Sequence, residues 1–241
     1  MRQALGLAAP LMLALAAPVA VADSYYVGVT GGYSEIRNSR FAHGEDGTRA
    51  NVDYEGGETL ALTLGRASEG GRFNGRSELE VGFQRDTADS ILFDSTTNEE
   101  PVIDDDPTID GGEPDDNEGR REDVSDVSGT ADVIYAFYNA MGDLRYSSKL
   151  SLTAGFGLGL GRVEFDTISA RGRGLLVDDS DTGWGWQVSA GVNYRLLDNI
   201  DVELLYRFRG WEALSPEPED GPKTDVSFSS NNFLGGLRVR F

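Results

Sequence analysis

Between Lys149 and Phe165 the chain reads KLSLTAGFGLGLGRVEF, with glycine at positions 155, 157, 159 and 161. The even positions carry Leu150, Leu152, Ala154, Phe156, Leu158 and Leu160, and the odd positions carry Ser151, Thr153 and the four glycines. Successive side chains of a β-strand point to opposite faces, so a strand here has one unbroken apolar face and one face that is small and polar. A phosphate-binding glycine loop needs G-x-G-x-x-G offsets opening into a helix. The spacing here stays at two and no helical period follows. A flexible linker has no reason to keep six apolar residues in phase.

The same alternation recurs along the chain. Apolar rows begin with Tyr25, Val27, Val29 and Tyr33, then Leu60, Leu62 and Leu64, then Leu79, Val81 and Phe83. Ala131, Val133, Tyr135 and Phe137 form a fourth row, opposite Thr130, Asp132, Ile134 and Tyr138, and the Leu150–Leu160 row is fifth. The sixth runs from Trp184 and Trp186 to Tyr194, the seventh from Ile200 to Phe208, and the eighth holds Phe233, Leu237, Val239 and Phe241. Connections after the second, fourth and sixth rows are short (67–74, 142–147, 196–199). The others are long (35–57, 86–126, 166–181, 212–225). Period-2 patterning with this asymmetry predicts an all-β fold: an eight-stranded antiparallel up-and-down transmembrane β-barrel with short periplasmic turns and long extracellular loops.

The N-terminus supports export. Arg2, the apolar run ALGLAAPLMLALAA and the small-x-small AVA ending at Ala22 read as a signal peptide over residues 1–22, leaving a barrel over 23–241. No other run approaches the roughly 20 apolar residues of a membrane helix. Cysteine is absent, which excludes a disulfide scaffold and thiolate metal sites. The formal net charge of −20 excludes the basic footprint that nucleic-acid binding requires. Much of that charge sits in residues 86–126, where sixteen Asp or Glu face only Arg120 and Arg121. The segment has too few apolar residues to fold alone, and reads as a disordered extracellular loop.

Alternation alone does not say which face is outside. A soluble lipocalin-like barrel would turn its apolar rows inward and leave the glycine rows in water, where glycine only weakens a strand. In a narrow eight-stranded barrel, inward glycines instead make room for larger inward neighbours. The eleven residues from Leu150 to Leu160 span roughly 25 Å when tilted near 45°, the height of an outer-membrane apolar band. Leu150, Leu152, Phe156, Leu158, Leu160, Trp184 and Trp186 are therefore assigned to lipid. Tyr25, Tyr194, Phe233 and Phe241 fall to an aromatic girdle at the short-turn side. Tyr33, Trp184, Trp186, Phe208 and Trp211 fall to one at the long-loop side.

The chain stops on FLGGLRVRF, a terminal phenylalanine preceded by alternating apolar residues. With the signal, the eight rows and the loop asymmetry, this ending resembles the outer-membrane β-barrel proteins, a family that includes the OmpA membrane domain, OmpX-like proteins and opacity-type adhesins. The resemblance makes Phe233, Leu237, Val239 and Phe241 an assembly signal, with Gly235 a departure. It implies the outer membrane of a Gram-negative bacterium, with the barrel assembly machinery and periplasmic chaperones as partners in biogenesis.

Eight strands leave a bore that side chains fill. The inward rows are expected to carry Glu78, Glu80, Asp132, Asp201, Glu203, Arg195, Arg207, Arg238 and Arg240. Buried charges need partners, and Glu203 and Arg238, both near the short-turn end of adjacent strands, are expected to meet as an interior ion pair. No catalytic residue is assigned. The single histidine, His43, sits in the first long loop without a fixed nucleophile near it in sequence. Glu78 and Glu80 share a face, but a filled bore gives a substrate no access. No cofactor is expected beyond weak Ca²⁺ or Mg²⁺ binding by Asp104, Asp105, Asp106, Asp110, Asp115 and Asp116, with Glu118 nearby; the EF-hand register is not met. Outer-membrane lipid and lipopolysaccharide are the expected surroundings. Three functions stay open: a non-enzymatic structural or surface-interaction barrel, which leads; a small channel or carrier for small or hydrophobic solutes; and an exported soluble lipocalin-like ligand-binding barrel.

Overall fold

The computed structural model describes residues 23–37, 39–43, 48–68, 71–94, 121–124, 127–170, 174–214 and 226–241. These residues form strands β1 (Asp23–Arg37), β2 (Ser39–His43), β3 (Thr48–Ser68), β4 (Phe73–Asp94), β5 (Arg121–Val124), β6 (Val127–Arg145), β7 (Leu150–Ala170), β8 (Gly174–Arg195), β9 (Ile200–Leu214) and β10 (Val226–Arg240). Every pairing between them is antiparallel. Eight of them, β1, β3, β4, β6, β7, β8, β9 and β10, pair in sequence order, and β10 returns to β1 to close the cylinder. Closure leaves no open edge, which lipid requires because it offers backbone amides no partner. The short β2 and β5 extend β3 and β4 at the long-loop end.

The register fixes the barrel's proportions. Starting at Ile36 and stepping from partner to partner, the ladder passes through Ser230, Arg209, Gln187, Gly157, Asn139, Glu78 and Gly65, and arrives at Tyr26, ten residues back on the starting strand. A stagger of ten over eight strands corresponds to a tilt of roughly 40°. At that tilt the 22 residues of β4 rise roughly 50 Å, about twice the apolar band.

The outward rows show where lipid stops. On β7 the row Leu152, Ala154, Phe156, Leu158, Leu160 gives way to Arg162 and Glu164. On β4 Leu79, Val81 and Phe83 give way to Arg85, Thr87 and Asp89. Leu62 is 66% exposed and Leu160 63%, so the leucine rows face away from the bore. That outward orientation excludes the soluble lipocalin-like alternative, which needs those rows inside. Staves also run on where the sequence suggested loops. β4 continues to Asp94, β7 and β8 continue to Ala170 and from Gly174, and Arg121–Val124 pairs with β4. The ends of the 86–126 segment are thus strand, because ladder hydrogen bonds continue above the membrane whatever the outward row carries.

Four sequence expectations fail on placement. The fourth row points into the bore. Ala131, Val133, Tyr135 and Phe137 are buried, while Ile134 is 61% exposed and Tyr138 faces out with it. Both faces of β6 are apolar, so alternation there has no sign. Asp132 shares the parity of Ile134 and therefore lies on the outer wall, paired with the exposed Arg85. Trp211, expected in the outer girdle, is fully buried in the bore, in phase with Arg207 and Arg209. Phe233 pairs directly with Tyr33, which places it on the long-loop side rather than the short-turn side.

Candidate functional site

The interior of the cylinder is where the chain's chemistry collects, and it is layered. At the short-turn end Arg76 Nη1 donates to Glu78 Oε1 at 2.6 Å, and Arg76 Nε lies 2.9 Å from Asp143 Oδ2. Tyr26 donates its hydroxyl to Glu78, and Thr153 donates to Asp143 at 2.6 Å. The structure brings Glu203 and Arg238 together at 3.7 Å. Neither serves the other alone. Arg238 also lies 3.4 Å from Asp201, and Glu203 lies 3.8 Å from Arg76. Arg195 and Arg240 reach Asp201 from the mouth, at 4.0 and 3.2 Å.

In the middle layer Arg207 Nη1 donates to Glu80 Oε1 at 2.6 Å, and Asn139 Nδ2 donates to Glu80 Oε2 at 3.1 Å. Gln187 Nε2 donates to Asn139 Oδ1 at 2.7 Å. Arg209 donates to Gln187 and to Gln84, each at 3.1 Å, and Gln84 donates to Asp86 at 2.8 Å. Ser34 donates to the other Asp86 oxygen at 3.0 Å. One continuous network therefore spans the bore from β9 to β1. Such a network is stable only when every member is satisfied, because a buried charge that loses its partner keeps its desolvation penalty.

Beside it, along β6, the bore is aromatic. The Arg209 guanidinium stacks 3.8 Å from the Tyr135 ring centre, joining the polar layer to the apolar one. Phe137 and Trp211 meet edge to face at 5.5 Å, and Phe228 continues the layer toward Phe165 at 6.4 Å. The glycine row of β7 creates the space. Gly155, Gly157, Gly159 and Gly161 stand opposite Met141, Asn139, Phe137 and Tyr135 of β6. The nearest atoms to a Cβ placed on Gly161 are those of the Trp211 ring. Glycine at these positions is a packing requirement of the plug.

Glu78 and Glu80, the one carboxylate pair weighed for catalysis, are each bound to an arginine and buried. Arg76, Gln84, Asp86, Asn139, Asp143 and Arg209 belong to the interior and went unassigned in the sequence reading. Arg76, Gln84 and Asp86 share the parity of Glu78 and Glu80 on β4, so extending that row in both directions finds them. Arg209 follows Arg207 in the same way. His43 ends β2, and the surroundings of its side chain lie outside the described residues. So do residues 1–22 and the aspartates at 104–106, 110, 115 and 116. Among the described residues, no group of three or more His, Asp or Glu is placed to hold a metal ion.

The outer wall completes the picture. Tyr25, Phe73, Tyr146, Tyr194 and Phe241 are exposed around the short-turn rim, and Tyr33, Tyr206, Phe233 and Trp184 around the wall toward the long-loop side. Trp186 also faces outward, packed on Phe208 at 5.5 Å. These rings mark the two interfaces of the lipid-facing band.

A family model described as an outer membrane protein beta-barrel domain matches residues 7–241. Among solved structures, Neisserial surface protein A is similar at 14% identity, over 91% of this chain and 99% of that one, with a TM-score of 0.45. Ail of Yersinia pestis is similar at 15% identity, over 90% and 98%, with a TM-score of 0.37. The outer membrane protease OmpT of Escherichia coli is similar at 9% identity, over 90% and 97%, with a TM-score of 0.51. At such identities the likeness is one of fold. No curated protein matches the sequence.

Proposed function

The chain belongs to the outer-membrane β-barrel family, and from that premise we propose that it is a non-enzymatic barrel with a structural and surface-interaction role in the outer membrane of a Gram-negative bacterium. The observation that carries this reading is the filled bore. The Glu80–Arg207–Arg209 network and the Tyr135–Phe137–Trp211 cluster lie side by side in the lumen and meet where Arg209 stacks on Tyr135, each joining β9 to a stave across the bore. A bore closed by a satisfied polar layer and an aromatic one leaves the long-loop end as the working surface, and staves that rise past the lipid band hold that surface away from the membrane. The interior carboxylates are held by arginines or, at Asp86, by Gln84 and Ser34, which ties each of them into the fill of the bore. Lipid and lipopolysaccharide surround the wall in this reading. Barrel assembly machinery and periplasmic chaperones act in biogenesis, and no cofactor is required.

Planar-bilayer recording on refolded protein tests the reading. The expected result is a silent bilayer with folded protein present, shown by heat-modifiable migration in SDS gels. Steady open-channel steps that persist in an Arg207→Met variant would overturn it in favour of a small channel.

A further inference from the structure

Every part of the short-turn mouth contributes to one basic vestibule. A cavity of about 40 Å³ opens there, lined among others by Arg76, Arg145, Lys149, Arg195, Arg238 and Arg240. Two carboxylates share that lining, Asp143 and Asp201, and Glu78 and Glu203 answer Arg76 and Arg238 from below. Six cations thus meet four carboxylates, in a chain whose net charge is −20. The distribution within the mouth is more uneven than the totals. Asp201 is shared by Arg195, Arg238 and Arg240, and of these Arg238 also reaches Glu203. Among the described residues, no carboxylate pairs with Arg145 or Lys149.

The guanidinium groups at the cavity floor have donors to spare. Arg76 and Arg238 are more than nine-tenths buried, yet Arg76 Nη2 and Arg238 Nε have no hydrogen-bond acceptor, and Ser24 Oγ beside them has no partner either. Buried donors without acceptors are rare in folded proteins; Glu203 Oε2, also unpaired, stands 3.7–3.8 Å from the nearest nitrogens of these guanidiniums, beyond hydrogen-bond reach, which leaves room for an acceptor from outside the chain. Water supplies acceptors but no charge. A tetrahedral oxyanion supplies both, and guanidinium groups match its geometry. A cavity of this size holds about three water-sized groups at roughly 10–15 Å³ each, which suits a compact oxyanion with any substituent directed through the open side.

We propose that the periplasmic mouth of the barrel is a binding site for a phosphate-type oxyanion, either a soluble phosphate or the phosphate of a lipid headgroup. Arg76 and Arg238 form its floor, and Arg145, Lys149, Arg195 and Arg240 its rim. The site lies on the other side of the plug from the long loops and is independent of what those loops meet.

The test titrates inorganic phosphate into the full-length folded barrel in zwitterionic detergent, at neutral pH, followed by phosphorus NMR line width and calorimetry, with chloride as the reference. Saturable phosphate binding is expected, weakened about tenfold, or about 1.4 kcal/mol, in the Arg145→Gln/Lys149→Gln variant. Neither residue has a carboxylate partner to strand, so heat-modifiable migration of that variant is expected to stay unchanged. A phosphate titration indistinguishable from chloride, or one unaffected by the double substitution, overturns the proposal. Repeating the titration in nanodiscs with and without phosphatidylglycerol separates the sources. Equal affinity assigns the site to a soluble oxyanion. Affinity lowered by phosphatidylglycerol assigns it to the headgroup.

Discussion

Gly159 of β7 stands directly opposite Phe137 of β6, and a Cβ built on that glycine would come 2.7 Å from the Phe137 ring. Two turns of the pattern are thereby joined. The small face of one strand exists because the facing strand is large, and the pair fills a bore too narrow for two large rows.

The first prediction concerns this fit. Gly161→Val is expected to lower the stability of the refolded barrel by about 1–3 kcal/mol, the usual cost of overpacking, read from urea unfolding in detergent or vesicles. The atoms crowded by the new side chain belong to Trp211, so Trp211→Leu in the same chain is expected to recover part of the loss. Gly75→Ala, where a Cβ meets nothing within 4 Å, serves as the neutral control. Equal effects at Gly75 and Gly161 would mean that backbone freedom, and not space, is what the glycines supply.

A second prediction concerns the ion pair at the centre of the bore. Arg207 and Glu80 are 127 residues apart in sequence, 2.6 Å apart in space and excluded from water. Arg207→Met removes the nearest cation from a buried carboxylate, and with Arg209 still 3.6 Å away is expected to cost about 3 kcal/mol, the lower end for a broken buried pair. Glu80→Leu/Arg207→Met removes both charges, and is expected to cost less than the sum of the single changes by about 0.5–3 kcal/mol. A double-mutant cycle in urea checks this. Strict additivity would show that the two side chains do not support one another.

The chain's three tryptophans give a third prediction, about which surface meets lipid. Trp184 and Trp186 lie on the outer wall, and Trp211 lies in the bore, fully buried. In vesicles of brominated lipid, the Trp184→Phe/Trp186→Phe variant is expected to keep its fluorescence, while Trp211→Phe is expected to lose most of its emission to quenching. Quenching of Trp211 to the same degree would place that ring against lipid.

Much of the wall was legible from residue order. Where a strand has one apolar and one small or charged face, as in β3, β4, β7 and β8, period-2 alternation separates lipid from lumen without further information. It failed on β6. Tyr135 and Phe137 face inward opposite Gly161 and Gly159 of β7, which leave space for them, Ala131 and Val133 follow in phase, and Ile134 and Tyr138 take the lipid side. Two apolar faces give alternation no direction, and only the neighbouring strand decides. Trp211 was misplaced by residue type despite its phase. Tryptophan prefers interfaces, but position 211 lies an even number of residues from Arg207 and Arg209.

What the sequence determined by itself is the repeat of two, the number of staves, the alternation of short and long connections and the height of the lipid-facing band. Each is a local property, readable from residues within one strand or one connection. What only the tertiary structure decided is who meets whom inside: Glu80 with Arg207, Gln84 with Arg209, Gly161 with Trp211, and the six cations gathered at the mouth. Those meetings depend on the stagger of ten residues around the closed ladder. Stagger is a property of closure: a two-residue change at any pairing would keep the same rows inside and give every later interior residue a new partner, while the pattern along each strand would read the same.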